Sequence, residues 1–94
     1  MKAILGRDRL KADANAYAGN PAAKNALAIV RKHPQLSRAG GWLTFKMRLW
    51  TILNPGSPYP GREWDVPKEF IYAMKIANGW TRVDAYRQVI LGGR

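Results

Sequence analysis

Apolar positions recur with a helical period along most of this chain. Residues 8–18 place Leu10, Ala14 and Tyr17 on one face of an Ala-rich stretch, which predicts a helix stopped by Gly19. Asn20 and Pro21 restart the chain, the first as a favoured N-cap and the second as a first-turn residue that forfeits no hydrogen bond. Ala23, Ala26, Leu27 and Val30 form the stripe of a second helix. It should end near His33, because Pro34 disfavours helical geometry in the residue before it.

Residues 35–41 read as a loop closing on Gly40-Gly41, and the pattern then becomes ambiguous. Between Trp42 and Leu53, Leu43, Phe45, Met47 and Leu49 alternate with Thr44, Lys46 and Arg48, as in a strand. On a helical wheel the same residues give an arc through Trp42, Phe45, Leu49, Ile52 and Leu53, with Thr44, Arg48 and Thr51 opposite. The helix is preferred. No other segment alternates well enough to pair with a strand here, so a strand would need a partner across a homodimer.

Asn54-Pro55-Gly56 ends this element, and residues 54–67 hold four of the six prolines. A loop this long in a compact domain is often functional or docked onto the surface. Tyr59 and Trp64 are its aromatic residues. They are expected to pin it to the core, and are also the candidate anchors for a protein partner. Pro55, Pro58 and Pro60 admit a polyproline-ligand reading, which ranks below both.

The C-terminal third is the most informative. Pro67 opens a helix with Glu69 placed to cap it, and Phe70, Ala73, Met74 and Ala77 form its stripe. Asn78-Gly79 stops that helix, Gly79 suiting the left-handed position after the cap. Only Trp80 precedes Thr81, a candidate N-cap with Asp84 three residues on. The next helix is expected over Arg82–Leu91, with Val83, Tyr86, Val89 and Ile90 inward and Gly92-Gly93 at its end.

Two short helices joined by a tight Gly-containing turn make a helix-turn-helix arrangement, whose second helix enters the major groove of DNA. Arg82 would then sit at the end that reads guanine, Gln88 would suit adenine, and Arg87 would be exposed beside them. Lys68 and Lys75 would face phosphates, and Arg31 and Lys32 at the end of the second helix would add to the cationic surface. Asp84 has the chemistry to accept from cytosine, but capping is its simpler use. A plain helical hairpin inside a bundle has the same spacing. Charge tips the reading toward DNA.

That charge is large. The chain has 94 residues, 16 Lys+Arg and 6 Asp+Glu, for a net charge of +10. The excess is spread as +5 over residues 1–33, +2 over 34–65 and +3 over 66–94, so it is no detachable basic arm. Such a surplus steers association with nucleic acid or an acidic protein but reads no bases. One domain is expected at this length. A hydrophobic fraction of 47% argues for a folded chain.

Candidate chemistry is sparse. The absence of Cys removes disulfides, thiolate zinc sites and thiol catalysis, and fits a reducing, cytoplasmic setting. His33 lacks an acidic neighbour in sequence, so a surface or capping role is expected. Asp65 and Glu69 could hold a cation from one helical face but are explained by capping. Ser37 and Ser57 lie in no nucleophile elbow, and Gly40-Gly41 lacks the rest of a phosphate loop. Lys46 falls inside the apolar arc, where it would snorkel or meet a buried anion. Neither an enzyme, a cofactor nor a metal is expected. No apolar run is long enough for a signal peptide or a membrane span. The interleaved Trp42, Phe45, Lys46, Arg48 and Trp50 also suit single-stranded nucleic acid, with core packing the preferred reading.

The segment from Pro67-Lys68-Glu69-Phe70 through Gly79-Trp80-Thr81-Arg82-Val83-Asp84-Ala85-Tyr86-Arg87 resembles the DNA-binding segment of phage terminase small subunits. The likeness covers under a third of the chain. It implies a phage or mobile-element protein that contacts DNA through this hairpin in a bacterial host cell. In that family the hairpin usually lies near the N-terminus, ahead of an oligomerisation region, so DNA contact rather than packaging is what carries over. The expected fold is mainly α, a compact bundle of four or five short helices. The expected function is non-enzymatic binding of nucleic acid, duplex DNA first. A small inhibitor or adaptor of an acidic host protein is the alternative.

Overall fold

The computed structural model describes residues 2–38 and 40–92, with side chains from residue 8 onward. Five helices follow one another: α1 (Lys2–Ala18), α2 (Pro21–Lys32), α3 (Trp42–Leu53), α4 (Lys68–Ala77) and α5 (Arg82–Ala85). Single 3-10 turns occupy Pro34–Leu36 and Gly61–Glu63, and α5 runs on into a π turn over Tyr86–Ile90. Among the described residues there is no strand, and Trp42–Leu53 is a helix, as the lack of a pairing partner suggested.

α1 starts at Lys2 rather than at residue 8. The added stretch contains no proline, and the one glycine, Gly6, costs about 1 kcal/mol in a helix, too little to break it. Asn20 caps α2 as expected, its Oδ1 accepting from the Ala22 N–H at 2.8 Å, with Pro21 in the first turn. At the other end the His33 N–H donates to the Ile29 and Val30 carbonyls.

The main core lies between α2 and α4. Ala26 and Val30 of α2 meet Phe70 and Ala73 of α4, with Leu36, Val66 and, from α3, Phe45 and Leu49. Ala23, nearer the start of α2, instead joins Tyr72 and Ile76 on the later part of α4. The two helices therefore run antiparallel. Burying Ala23, Ala26 and Ala73 almost completely lets their backbones approach closely. Leu36 and Leu49 are the largest fully buried side chains, and each is the kind of residue whose truncation costs about 2–5 kcal/mol.

A second, aromatic cluster ties α1 to the C-terminal hairpin. Tyr17 stacks edge-on against Tyr72, with ring centroids 4.8 Å apart, and lies 5.6 Å from Tyr86. Ala85 is fully buried in this cluster, and Val89 packs against it. Burial raises the Tyr17 phenol, helped by the Glu69 carboxylate and by Tyr72 and Tyr86. Burial also raises Tyr72, partly opposed by the Arg82 guanidinium.

Raised phenol values have a definite sign. The folded state prefers neutral Tyr17 and Tyr72, so their contribution to stability is complete below the ordinary value of 10.0 and is lost as pH climbs through the higher folded values. Absorbance titration of phenolate should therefore show late ionisation that Tyr17→Phe and Tyr72→Phe each diminish. Stability should hold level up to about pH 9.5 and fall above it. Ionisation of every tyrosine near pH 10 with unchanged stability would contradict the packing described.

Candidate nucleic-acid interface

The α4–α5 hairpin is defined by how α4 stops. Asn78 is the C-cap and Gly79 adopts φ 95°. The Gly79 N–H donates to the Ile76 carbonyl at 3.0 Å, and the Trp80 N–H to the Lys75 carbonyl at 2.9 Å. These are the paired bonds of a Schellman ending, which requires a residue tolerant of the left-handed region at Gly79. Thr81 then caps α5, its hydroxyl accepting from the Asp84 N–H at 3.1 Å. Two expected caps take other forms. Pro67, at the N-cap of α4, makes no side-chain capping bond, so Glu69 does not close a capping box. The Asp84 carboxylate accepts from Arg87 at 3.0 Å instead of turning back to Thr81.

The second helix is shorter than Arg82–Leu91 in its regular part. After Ala85 the winding loosens, and the Leu91 N–H reaches the Tyr86 carbonyl at 3.2 Å, a bond across five residues. Arg82 and Arg87 have different partners. Arg82 leans toward α1, where its Nη1 lies 3.5 Å from Asn15 Oδ1, at the outer limit of a hydrogen bond. Arg87, Gln88 and Asp84 share an outer face with Leu91, and all four are exposed. The ion pair with Asp84 offsets the charge of Arg87 on that face.

The remaining candidates separate into two places. Arg31 and Lys32 end α2, Lys68 begins α4, and the antiparallel pairing brings all three exposed cations to one end of the bundle. Arg82 follows the turn at the other end of α4, and Arg87 and Gln88 lie on the segment that runs on from it. Lys75 joins neither group. Its ammonium sits 4.1 Å from the centroid of the Trp80 ring, a cation–π contact.

Tyr59 and Trp64 are not exposed anchors. Trp64 is half-buried, packs on the main core and meets Trp50 edge-on at 5.1 Å. The Tyr59 hydroxyl is buried without a hydrogen-bond partner. The Pro-rich loop is docked along α3 instead. Trp50 Nε1 donates to the Ser57 carbonyl at 3.2 Å, and Lys46 Nζ donates to the Arg62 carbonyl at 3.2 Å. Lys46 is 8% exposed, so its stem fills the apolar arc while its ammonium finds a backbone oxygen. His33 is a capping residue, its Nδ1 lying 3.2 Å from Gln35 Nε2.

Sequence reading missed a cleft of about 320 Å³ between α3 and the end of α4. Trp42 and Trp80 line it and are 55% and 41% exposed, with Phe45, Ile71 and Met74 in its lining and Lys75 and Asn78 beside them. Part of this was readable. A residue following a Schellman glycine lies over the last turn of its helix, which places Trp80 on Lys75.

Comparison with protein-family models, curated proteins and solved structures finds no match to this chain. Among the described residues, no helix is long and apolar enough to cross a membrane, and no three metal-ligating acidic or His side chains gather.

Two substitutions test this geometry. Gly79→Ala should cost about 1 kcal/mol in chemical denaturation, because its φ of 95° is strained for any residue with a Cβ. Tyr59→Phe should match or exceed wild-type stability by up to about 1 kcal/mol, since it removes an unpaired buried hydroxyl. A clear loss for Tyr59→Phe would mean that the hydroxyl has a partner.

Proposed function

We propose that this chain is a small non-enzymatic nucleic-acid-binding protein, of phage or mobile-element type, that contacts DNA through the α4–α5 hairpin and flanking cations. The observation that carries this reading is unneutralised charge. The net charge is +10, and the ion pairs among the described residues are Arg9–Asp13 and Arg87–Asp84, both local to one helix and exposed. Most of the cationic surface thus remains available to phosphate. The hairpin supports the reading with its tight turn and capped second helix, and the terminase-like segment supports it by resemblance. With Arg87 paired and the cations divided between two ends of α4, backbone contact rather than base reading is the favoured mode.

Titrating a DNA duplex at several salt concentrations tests this. If Arg31, Lys32, Lys68, Arg82 and Arg87 each meet a phosphate, the plot of log K against log salt should slope at about −4.5. Arg82→Ala with Arg87→Ala should flatten that slope by about 2. Failure to bind duplex or single strands even at about 50 mM salt would sink the proposal.

A second reading has its own support. Leu43 and Met47, one turn apart on α3, are 58% and 44% exposed, which suits a protein interface. An adaptor of an acidic host protein would use this stripe in place of Tyr59 and Trp64. Leu43→Asp with Met47→Asp should then abolish the protein contact in nuclease-treated material and leave DNA binding intact.

A further inference from the structure

We infer that the cleft between α3 and the end of α4 takes an unpaired nucleobase, so that the nucleic acid bound carries a single-stranded segment. This rests on the nucleic-acid reading above and adds the part of the ligand that enters the protein. Four tryptophans are present, and the structure divides them. Trp50 and Trp64 stack on each other beside the core, 5.1 Å apart. Trp42 and Trp80 come from distant parts of the chain, converge on one cleft and remain among the most exposed large apolar residues. Burial does not require them there.

The chemistry around them favours a base over other occupants. Exposed indoles beside a cation are what single-strand binders use, because every base has a π-face and every base is followed by a phosphate. Lys75 supplies a positive charge in the cleft wall, held 4.1 Å from the Trp80 centroid, and Arg38 is exposed next to Ser37, itself part of the lining. Asn78 places an amide in the same lining, a group able to donate to and accept from a base edge. Apolar floor residues such as Phe45 and Met74 suit the base but not the sugar-phosphate. At about 320 Å³ the opening lies at the small end of ligand sites, room for one base rather than a helix. A paired base within a duplex cannot enter.

The experiment titrates the intact protein with a short oligothymidylate, an abasic oligonucleotide of equal length and a duplex, following tryptophan emission and affinity together. Oligothymidylate should quench emission, while the abasic strand should bind without that quench and at least about tenfold more weakly. Trp42→Ala and Trp80→Ala should each lower single-strand affinity by about tenfold and leave duplex affinity within about twofold. Trp80→Phe should restore most of the loss and Trp80→Leu should not, whereas a mere packing defect would be relieved by either. Equal behaviour of thymidylate and abasic strands, or indifference to both Trp variants, overturns the inference even if duplex binding persists. Loss of self-association or of apolar-peptide binding in the Trp variants, with single-strand affinity unchanged, also overturns it and assigns the cleft to that occupant. Absence of binding to any of the three nucleic acids removes the parent reading as well.

Discussion

Everything at the surface of this protein is referred to the antiparallel contact of α2 with α4. It is made largely of alanine, with Ala23, Ala26 and Ala73 almost wholly buried. Small side chains bring two backbones together, and larger neighbours such as Val30, Phe70 and Leu36 close the space at the flank. From this pair the chain extends in two directions. The Schellman turn at the end of α4 launches α5 toward α1, and α3 lies across the flank through Phe45 and Leu49. The hairpin and the two-tryptophan cleft are opposite products of the same helix ending.

The loop between α3 and α4 shows how a basic chain handles a charge near its core. Lys46 belongs to the apolar face of α3, yet its ammonium meets a carbonyl of a loop that proline keeps from forming regular structure. A backbone carbonyl released by irregular structure needs a donor, and a buried ammonium needs acceptors. Each meets part of the other's requirement. Trp50 does the same for Ser57, and the loop becomes a strap along α3 without a secondary-structure element of its own beyond one 3-10 turn.

Helix positions were legible wherever an apolar stripe coincided with a stop signal. Asn20-Pro21, Pro34 and Asn78-Gly79 are such signals, and each marks an observed boundary. The start of α1 was not legible, because its first turns carry neither a cap nor a stripe. The π turn was equally hidden, since Tyr86–Ile90 has the composition of ordinary helix. For the site, composition revealed the charge but not its arrangement. The side that Arg82 faces depends on Asn15, far away in sequence, and the sharing of one cleft by Trp42 and Trp80 depends on how α3 sits beside α4. Tyr59 and Trp64 are expected both to pin the loop and to offer an anchor, and the docked loop gives them the first role.

The π turn has a consequence for how this chain tolerates change in length. A bond spanning five residues encloses one residue more than an α-helical bond across four. Residues 86–90 therefore hold a surplus residue within the helix. Shortening the chain there by one would let the segment close as regular α-helix with its buried Ala85 anchor kept in place. The outer face would rotate relative to that anchor, carrying Arg87, Gln88 and Leu91 to new directions. Val89, packed against the aromatic cluster from within the same turn, would rotate with that face, so the surplus residue sets which side of the last turn meets the core.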